Sequence, residues 1–444
     1  MDAPLRLGIA GLGTVGSALV NLLKNKSDIL TARCGRKVIV TAVSARDRSR
    51  NRDCDISSAK WFDDPVAMAE CEDVDVFVEL IGGTEGPALD SVKKALETGK
   101  HVVTANKAML AYHGIELSEL AENKGVLLNY EAAVAGGIPI VKTMRESLSG
   151  NEVTRVYGIL NGTCNYILTR MEDEGISFED CLADAQHLGY AEADPAFDIE
   201  GNDTAHKLAI LASLAFATQL APDEIYIEGI TSITTADIEA AKSLGYRIKL
   251  LGVALKTDSG IEQRVHPTMV PLNAPIAQIA GVTNAVGIDA DIVGELLMSG
   301  PGAGGDATAS AVAGDIADIA KSRPGHQHGP AFGAPVAKLA PYQRARMRSH
   351  EGGYFIRLSV NDRAGAFAAI ATRMGESEIS LESIVQKEVQ QEPQTSSSND
   401  TVDNARTVIL ITHSTTESAI REALENIRND GHLAADPQMI RIEK

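Results

Sequence analysis

The order of apolar and polar segments divides the chain into parts. Between Leu5 and Tyr130 short apolar runs alternate with helical patterns: LRLGIAG, a helix from Val15, KVIVTAVS, VDVFVELIG, a helix from Leu89 to Glu97, HVVTA and GVLLNYEA. Strands that are separated by helices need right-handed crossovers to lie side by side. The alternation therefore predicts an α/β unit built on a doubly wound parallel sheet.

The pattern changes after this unit. Long helical patterns, such as Thr204 to Thr218, mix with the strand-like segments TRVYGIL and LLGVAL, which predicts an α+β domain. After a stretch rich in Pro, Gly and His that starts at Ser322, the order strand, helix, strand, strand, helix, strand indicates a ferredoxin-like βαββαβ domain. The predicted units are a first domain at 1–130 that is completed by about 300–322, a second at 131–299, a linker at 323–352 and a C-terminal domain at 353–444.

Charge and cysteine content narrow the function classes. The formal net charge of −19 argues against nucleic acid or an anionic membrane as a partner, because both need a basic surface. The five cysteines form no CxxC pair, which is typical of a reducing compartment. The first strand leaves no room for a signal peptide, and no run of about 18 apolar residues is present. We expect a cytoplasmic protein.

The segment GLGTVG ends the first predicted strand and opens a helix. In GxGxxG spacing the first glycine permits a tight turn, the second lets the backbone approach a pyrophosphate, and the third lets helix and strand pack closely. A glycine-rich turn without a ligand is the alternative, but the flanking strand and helix disfavour it. The motif predicts a Rossmann-type dinucleotide site formed by Gly11, Leu12, Gly13, Thr14, Val15 and Gly16.

The end of the second predicted strand bears on the choice of nucleotide. An NAD-selective fold usually has Asp or Glu here, against the ribose 2′-hydroxyl. In VSARDRSR this region holds Arg46 and Arg48, and arginine suits a 2′-phosphate. NADP is therefore favoured, while the nearby Asp47 keeps NAD open, and a solvated charge cluster is the alternative reading of both arginines.

The segment AQHLGYAEADPAFDIEGNDTAHK is crowded with acidic residues. Such carboxylates repel one another unless a cationic group lies among them, so we expect a cationic ligand, with an acidic surface turn as the alternative. Asp203 and Lys207 are four residues apart on the helix that follows, hence on one face, where the carboxylate can orient the ammonium.

The same segment resembles the signature of homoserine dehydrogenases. Its spacing is reproduced by Ala185, Gly189, Asp194, Pro195, Asp198, Gly201, Asp203 and Lys207. The resemblance continues in ELIGG, GKHVVTANKA, NYEAAVAGGIP, LNGTCNYIL and SGPGAGGDAT, and so covers the chain from Leu7 to about Ala320. The family implies conversion between homoserine and aspartate 4-semialdehyde in threonine, methionine and isoleucine biosynthesis, usually by a homodimer or homotetramer.

The resemblance also implies roles for single residues. Lys207 matches the proton-transfer lysine and Lys107 a second lysine that faces the reacting oxygen, while Asp203 lies beside the hydroxyl. A free lysine is a poor base at neutral pH, so burial and the proximity of the two ammonium groups should lower the pKa of one of them. The sequence does not decide which lysine transfers the proton. An ordinary surface lysine is the alternative for Lys107.

Further positions follow from the resemblance. Glu192, Asp198 and Gly189 are expected around the substrate. Thr104 and Lys107 in TANKA, and Gly302 in SGPGAGG, are expected to contact the cofactor. A structural sodium ion is expected on the side chain of Glu131 and on the backbone carbonyls of Val134, Gly136 and Ile138.

The C-terminal domain resembles ACT domains, which commonly bind amino acids between paired copies. Its first turn reads VNDRAGAFAAI, where the family pattern has Pro at the position of Ala364 but also has Gly365. We expect threonine, as an end product, to bind between Asn361 and Gly365. A structural dimerisation module is the alternative.

Two rival functions fit these residues less well. A semialdehyde dehydrogenase that works through a thiohemiacetal needs a nucleophilic cysteine, and Cys164 in NGTCNY has no evident activating partner. A catalytically inactive sensor of amino acid and nucleotide is disfavoured because both Lys107 and Lys207 are present.

Overall fold

The structure is a computed structural model that describes residues 3–322, 329–345, 351–361, 363, 365–387 and 405–443. Parts of the expected linker, at 323–328 and 346–350, lie outside the described residues, as does Ala364. Within these ranges no helix has both the length and the apolar composition needed to cross a membrane.

The first unit has a six-stranded parallel sheet with strand order β3-β2-β1-β4-β5-β6. This order runs outward from β1 in both directions, so the predicted doubly wound sheet is confirmed. Its elements are β1 Leu5–Ala10, α1 Thr14–Asn25, α2 Ser27–Cys34, β2 Val38–Ser44, β3 Lys60–Phe62, α3 Pro65–Glu70, β4 Val76–Glu79, α4 Pro87–Glu97, β5 His101–Thr104, α5 Lys107–Lys124 and β6 Leu128–Asn129.

The core of this unit explains the apolar runs of the sequence. Leu7 and Ile9 of β1 and Val78 of β4 are fully buried, as expected for central strands that are covered on both faces. A helix from much later in the chain, α13 Gly305–Lys321, contributes Ala309 and Val312 to the same cluster. Residues after 300 thus pack beside α1 on the first sheet.

The second unit combines helices with a mixed sheet. Strands β9 and β10 form a long antiparallel hairpin, and β7 pairs with both β9 and β11. Its elements are α6 Ala132–Ala135, α7 Ile140–Lys142, a π-helical turn Thr143–Ser147, β7 Val153–Ile159, α8 Gly162–Glu174, α9 Phe178–His187, α10 Ala196–Ile199, α11 Asn202–Phe216, a 3-10 turn Pro222–Glu224, β8 Tyr226–Ile227, α12 Thr235–Ser243, β9 Tyr246–Thr257, β10 Gly260–Pro271, a 3-10 turn Pro275–Gln278, β11 Thr283–Ala290 and β12 Gly294–Pro301.

The C-terminal unit has the predicted βαββαβ order, with an additional short strand, β16. After a 3-10 turn at Val336–Lys338 come β13 Glu351–Asn361, α14 Ala366–Glu376, β14 Leu381–Lys387, β15 Ala405–Thr412, β16 Thr415–Thr416, α15 Glu417–Asn429 and β17 Gln438–Ile442. Its four main strands lie in the order β17-β13-β15-β14.

The last strand joins this unit to the second one. Strand β17 pairs with β13 and also, in parallel, with β10, where Arg441 lies opposite Thr268. The two sheets therefore form one continuous sheet of eleven strands in the order β12-β11-β7-β9-β10-β17-β13-β15-β14, with β8 and β16 paired at its side. The sequence predicted an α+β domain and a ferredoxin-like domain here, without this pairing between them.

A buried ion cluster lies at this junction. The Glu417 carboxylate, at the start of α15, is 2.5 Å from the Arg264 guanidinium of β10 and 2.7 Å from that of Arg441. All three side chains are less than 5% exposed. Burial raises the pKa of Glu417, but Arg441 and Arg264 outweigh it and lower the pKa from 4.5 to about 2. The C-terminal unit is thus attached by charge as well as by strand pairing.

Candidate active site

The glycines of GLGTVG have the geometry that the motif requires. Gly11 has a φ of 102°, and a Cβ there would lie 2.3 Å from the Leu80 carbonyl oxygen. A Cβ on Gly16 would lie 2.0 Å from the Gly11 carbonyl oxygen, whereas one on Gly13 would have no atom within 4 Å. The turn is closely packed at its first and third glycines and open at the second, where a pyrophosphate would approach.

Helix α1 begins at this open face. Its N-cap residue, Gly13, has no side chain that could cap the helix, so the amides of the first turn are available to an anion. Leu12 is buried in the core, Val15 is half-buried, and Thr14 is exposed beside Gly13. Contact of this turn with a nucleotide would therefore be made mainly through the backbone.

A cleft of about 590 Å³ opens between this turn and the end of β2. Arg46 lines it as expected, but so do Arg50 and Arg52, which the sequence did not single out. The Asp47 carboxylate accepts hydrogen bonds from the Ser49 amide at 2.8 Å and the Ser49 hydroxyl at 2.6 Å. The acid that kept NAD open is thus engaged locally, in a cleft that is rich in cations.

Thr104 and Gly302, which were expected to contact the cofactor, both lie against other residues of the protein. The Thr104 hydroxyl is buried and donates to the Glu79 carboxylate at 2.5 Å. Gly302 is buried, and a Cβ there would lie 2.0 Å from the side-chain amide of Asn284. The residues of the SGPGAGG loop and its helix that border the cleft region beside Gly13 are Gly305 and Asp306.

One carboxylate joins the two candidate lysines. Asp203, on the first turn of α11, is 2.9 Å from the Lys107 ammonium at the start of α5 and 2.7 Å from that of Lys207. Lys207 also donates to the Leu160 carbonyl at 2.7 Å. The Lys207 side chain is 10% exposed and that of Lys107 is 35% exposed, so Lys107 is the more open of the two to solvent.

An asparagine that the sequence did not single out completes this group. The Asn161 side-chain amide donates to Asp203 at 2.9 Å and to Asp198 at 2.9 Å, while its oxygen accepts from the Cys164 amide at 2.8 Å. Asn161 is therefore the N-cap of α8 and a bridge between two carboxylates. An asparagine just before a helix is a typical N-cap, and this is the one feature of the sequence that fits the role.

The environments of the two lysines shift their pKa values in opposite directions. Burial lowers the pKa of Lys207, and the Lys107 charge lowers it further, against the opposing effect of Asp203. Burial also lowers the pKa of Lys107, but the carboxylates of Asp203, Asp198 and Glu192 outweigh it, so the net shift is upward. Lys207 is thus the lysine that more readily gives up its proton.

The carboxylates of this group also differ. Burial raises the pKa of Asp203, but the two ammonium groups outweigh it and hold the pKa below its usual value. Burial and the charge of Asp203 raise the pKa of Asp198. Asp203 is therefore a permanent anion that holds both lysines in place.

The remaining expected substrate residues lie on the loop between α9 and α10. Gly189 has a φ of 76°, and the turn there closes with a hydrogen bond of 2.8 Å from the Tyr190 amide to the Ala185 carbonyl. The Glu192 carboxylate is exposed, and the Gln186 side chain donates to the Glu192 carbonyl at 3.0 Å. This loop places Glu192 near enough to Lys107 to raise the pKa of that lysine.

Glu131, the expected cation ligand, is buried beside another carboxylate. Its two oxygens accept from the amides of Val141 at 2.8 Å and Lys142 at 2.9 Å. Burial raises the pKa of Glu131 to about 7 and that of the neighbouring Asp315 to about 6. Among the residues that the structure describes, no group of three or more His, Cys, Asp or Glu side chains is arranged to hold a metal ion.

Comparison with known proteins identifies the family. The family model described as homoserine dehydrogenase matches residues 139–317, and the one described as homoserine dehydrogenase, NAD binding domain, matches residues 11–131. A homoserine dehydrogenase of Pseudomonas aeruginosa is 42% identical over 443 residues, which span 99% of this chain and 99% of that protein. The chain belongs to the homoserine dehydrogenase family.

Solved structures of homoserine dehydrogenases agree with this assignment. That of a homoserine dehydrogenase from Thiobacillus denitrificans matches with a TM-score of 0.91 and 40% identity over 99% of this chain and 98% of that one. A hyperthermophilic archaeal homoserine dehydrogenase in complex with NADPH matches with a TM-score of 0.60 and 29% identity over 70% of this chain and 96% of that one. The protein is accordingly an oxidoreductase with a dinucleotide-binding domain.

The environment of Cys164 fits a homoserine dehydrogenase better than a thiol-dependent enzyme. Its sulfur is fully buried and lies 3.2 Å from the Asp198 carbonyl oxygen. Burial raises the pKa of this thiol well above its usual value, and the nearby carboxylates of Asp198 and Asp203 add to the effect. A thiolate nucleophile is therefore strongly disfavoured at this position.

Proposed function

We propose that the protein interconverts L-homoserine and L-aspartate 4-semialdehyde with NADP as the cofactor. The observation that carries the proposal is the single Asp203 carboxylate held between Lys107 and Lys207. Removal of a hydride from an alcohol carbon requires that the hydroxyl proton leave as well, so a base must lie within hydrogen-bond reach of that hydroxyl. Two lysines of opposite pKa shift, fixed by one acid, provide a base and a cation.

Lys207 is the proposed proton-transfer group. In the oxidative direction its neutral Nζ takes the homoserine hydroxyl proton as the carbonyl forms. In the reductive direction the same ammonium returns a proton to that oxygen. Its hydrogen bonds to Asp203 and to the Leu160 carbonyl, both 2.7 Å, fix the direction of Nζ. A bound nicotinamide supplies the hydride acceptor or donor.

Lys107 is proposed to remain charged and to stabilise the oxygen as negative charge develops on it. Its raised pKa and greater exposure suit this role, because a permanent cation stabilises charge without moving a proton. The carboxylates of Glu192 and Asp198 are proposed to bind the substrate α-ammonium group, since acidic residues around a cationic group no longer repel one another.

The residues at the nucleotide cleft fit NADP. The open face at Gly13 and the uncapped start of α1 suit the pyrophosphate, and Arg46, Arg50 and Arg52 are cations that suit a 2′-phosphate. The archaeal relative in complex with NADPH supports the same cofactor. NAD remains the alternative, with Asp47 as its expected ribose contact.

The activity is tested with purified protein and L-homoserine in the presence of NADP⁺, by the absorbance of the reduced nicotinamide. The matched control substrate is 4-hydroxybutanoate, which has the same reacting alcohol but lacks the α-ammonium group. We expect turnover with homoserine and a large loss with the control. Equal rates for both substrates, or no reaction with homoserine, would reject the proposal.

A monovalent cation, sodium, is proposed as a structural ligand of Glu131 and of the carbonyls of Val134, Gly136 and Ile138. Glu131 is 3% exposed and Asp315 is 1% exposed, so two carboxylates share one buried region. The Lys142 ammonium, 3.3 Å from Asp315, is a nearby counter-charge. A bound cation with hard oxygen ligands would balance the second negative charge.

The C-terminal unit is proposed to be an ACT-type domain that makes the enzyme sensitive to threonine, within a pathway to threonine, methionine and isoleucine. Its strand order β17-β13-β15-β14 suits that fold. The turn expected to bind threonine is described in part: the Asn361 amide donates to the His432 carbonyl at 2.9 Å, and Gly365 has a φ of 92°. An assembly module without a ligand is the alternative.

We also propose that the protein acts as a homodimer or a larger homo-oligomer. The turn before the edge strand β12 carries exposed apolar side chains, with Ile292 77% and Val293 46% exposed, and Leu296, Leu297 and Met298 of β12 itself are half-buried. An exposed apolar edge of a long sheet is a frequent site of association. A second copy of this chain is the occupant that the family favours.

A further inference from the structure

Glu79 is a fully buried acid at the carboxyl end of the central strand β4. Its carboxylate accepts three hydrogen bonds: from the amides of Ile81 at 2.7 Å and Gly82 at 2.9 Å, and from the Thr104 hydroxyl at 2.5 Å. A buried carboxylate is costly unless such partners compensate it. The same carboxylate therefore fixes two separate pieces of backbone, and each leads to a different part of the site.

The first piece is the loop after β4. Leu80 and Ile81 line the nucleotide cleft, and the Leu80 carbonyl lies against Gly11 so closely that no side chain fits between them. Both amides that Glu79 binds belong to this loop. The position of the cleft wall beside the GxGxxG turn thus depends on the Glu79 carboxylate.

The second piece leads to Lys107. The Thr104 hydroxyl, while donating to Glu79, also accepts from the Asn106 amide at 3.0 Å. The Asn106 side chain is the N-cap of α5, accepting from the Met109 amide at 3.1 Å, and it donates to the Gly83 carbonyl at 2.7 Å. Lys107 is the first residue of α5. The chain of bonds from Glu79 thus ends at the residue that reaches Asp203.

We propose that Glu79 is a positioning residue that couples the nucleotide cleft to Lys107. It sets the loop that forms one wall of the cleft and, through Thr104 and Asn106, the start of the helix that directs Lys107 toward Asp203. Hydride transfer needs the nicotinamide and the charged groups at the substrate oxygen in fixed relative positions, since small misplacements reduce the rate strongly. The lysine half of this inference rests on the role proposed above for Lys107, whereas the cofactor half does not.

Three variants separate this role from a purely structural one. Glu79→Gln keeps the shape but loses the charged acceptor. Thr104→Val removes the hydroxyl that donates to Glu79 and accepts from the Asn106 amide, while the two loop amides keep Glu79 as their acceptor. Val78→Ala, the matched control, removes buried apolar volume from the neighbouring position on β4 without touching the network. Each is measured for its melting temperature, its Kd for NADPH by calorimetry, and its kcat.

We expect Glu79→Gln to raise the Kd for NADPH about tenfold and to lower kcat by a similar or larger factor, because bonds to a charged acceptor are lost. Thr104→Val should lower kcat with a smaller rise in Kd than Glu79→Gln. Val78→Ala should lower the melting temperature and leave Kd and kcat unchanged.

The proposal is overturned if Glu79→Gln leaves either Kd or kcat within twofold of the unchanged protein, or if Thr104→Val leaves kcat unaffected. A Val78→Ala variant with the same losses of Kd and kcat would also overturn it, because general destabilisation would then explain the effects. If Lys107→Ala retains full turnover, the role given to Lys107 fails separately, and the Kd of Glu79→Gln still tests the cleft half.

Discussion

The ammonium of Lys207 lies 2.7 Å from the carboxylate of Asp203, one helical turn earlier on α11, and both side chains are almost completely shielded from water. Burial should make this lysine easier to deprotonate, and the Lys107 ammonium on the far side of the same carboxylate adds to that effect. Asp203 stays negative because the two ammonium groups stabilise its charge. The pair therefore combines a movable proton with a fixed acceptor that orients it.

The nucleotide preference is tested at Arg46. Arg46→Ala should raise the KM for NADPH roughly tenfold and change the KM for NADH little, because only NADPH carries the 2′-phosphate. The matched control is Arg48→Ala, since Arg48 lies over the Trp61 ring at 5.8 Å and does not line the cleft. Equal effects of Arg46→Ala on both cofactors would show that Arg46 does not contact the phosphate.

The proposed cation is tested by thermal unfolding in sodium chloride and in tetramethylammonium chloride of the same ionic strength. A ligand that binds only the folded state raises its stability, so sodium should raise the melting temperature of the unchanged protein. Glu131→Gln should abolish the difference between the two salts. A melting temperature that is the same in both salts would mean that no sodium ion binds here.

The junction at Glu417 is tested by Glu417→Gln. Two buried arginines, Arg264 and Arg441, would lose their shared counter-charge, which should cost about 3 to 5 kcal/mol of unfolding free energy. Glu422→Gln, on the exposed side of the same helix, is the matched control. Chemical denaturation measures both, and a loss no larger than that of the control would contradict the assigned importance of the cluster.

The same acid gives a pH dependence with a definite sign. Its pKa is lowered from 4.5 to about 2 in the folded state, so its stabilising effect is complete above 4.5 and is lost as the pH falls toward 2. Glu417→Gln should remove this part of the acid sensitivity. An unchanged slope of stability against pH in the variant would contradict the shift.

Threonine sensitivity is tested by calorimetry and by inhibition assays on the full chain. Threonine should bind, and should weaken activity by a coupling of about 1 to 3 kcal/mol, because an effector acts only through its preference for one arrangement of the domains. A chain that ends at Ala345 should lose this response. That chain also carries Arg264→Met, because the truncation removes Glu417, the carboxylate with which the buried Arg264 side chain pairs. No binding and no inhibition at millimolar threonine would leave the C-terminal unit as an assembly module.

Local chemistry decided which features were predictable. The GLGTVG turn was predicted because its glycine spacing reflects local backbone geometry, such as the close approach of Gly16 to the Gly11 carbonyl. The spacing of Asp203 and Lys207 predicted their ion pair because helical periodicity fixes residues four apart. The fold class was predictable because strands and helices alternate along the first 130 residues.

Long-range contacts were not predictable in this way. The pairing of β17 with β10, which joins the two predicted domains in one sheet, leaves no local trace in either strand. Asn161 bonds to both Asp198 and Asp203, which lie about forty residues later in the chain, and only folding brings them together. Likewise, the path of the loop after β2 places Arg50 and Arg52 on the cleft wall.

The most direct test of the proposed mechanism is the rate of hydride transfer in Lys207→Ala with both ligands saturating. The rate should fall by about 10² to 10⁴, as for a lost general acid or base, while the Kd for NADPH stays within twofold of the unchanged protein. In the unchanged protein the oxidative rate should rise with pH through a pKa below the 10.5 of free lysine, because the neutral amine is the base. A Lys207→Ala variant that transfers hydride at the full rate would contradict the account.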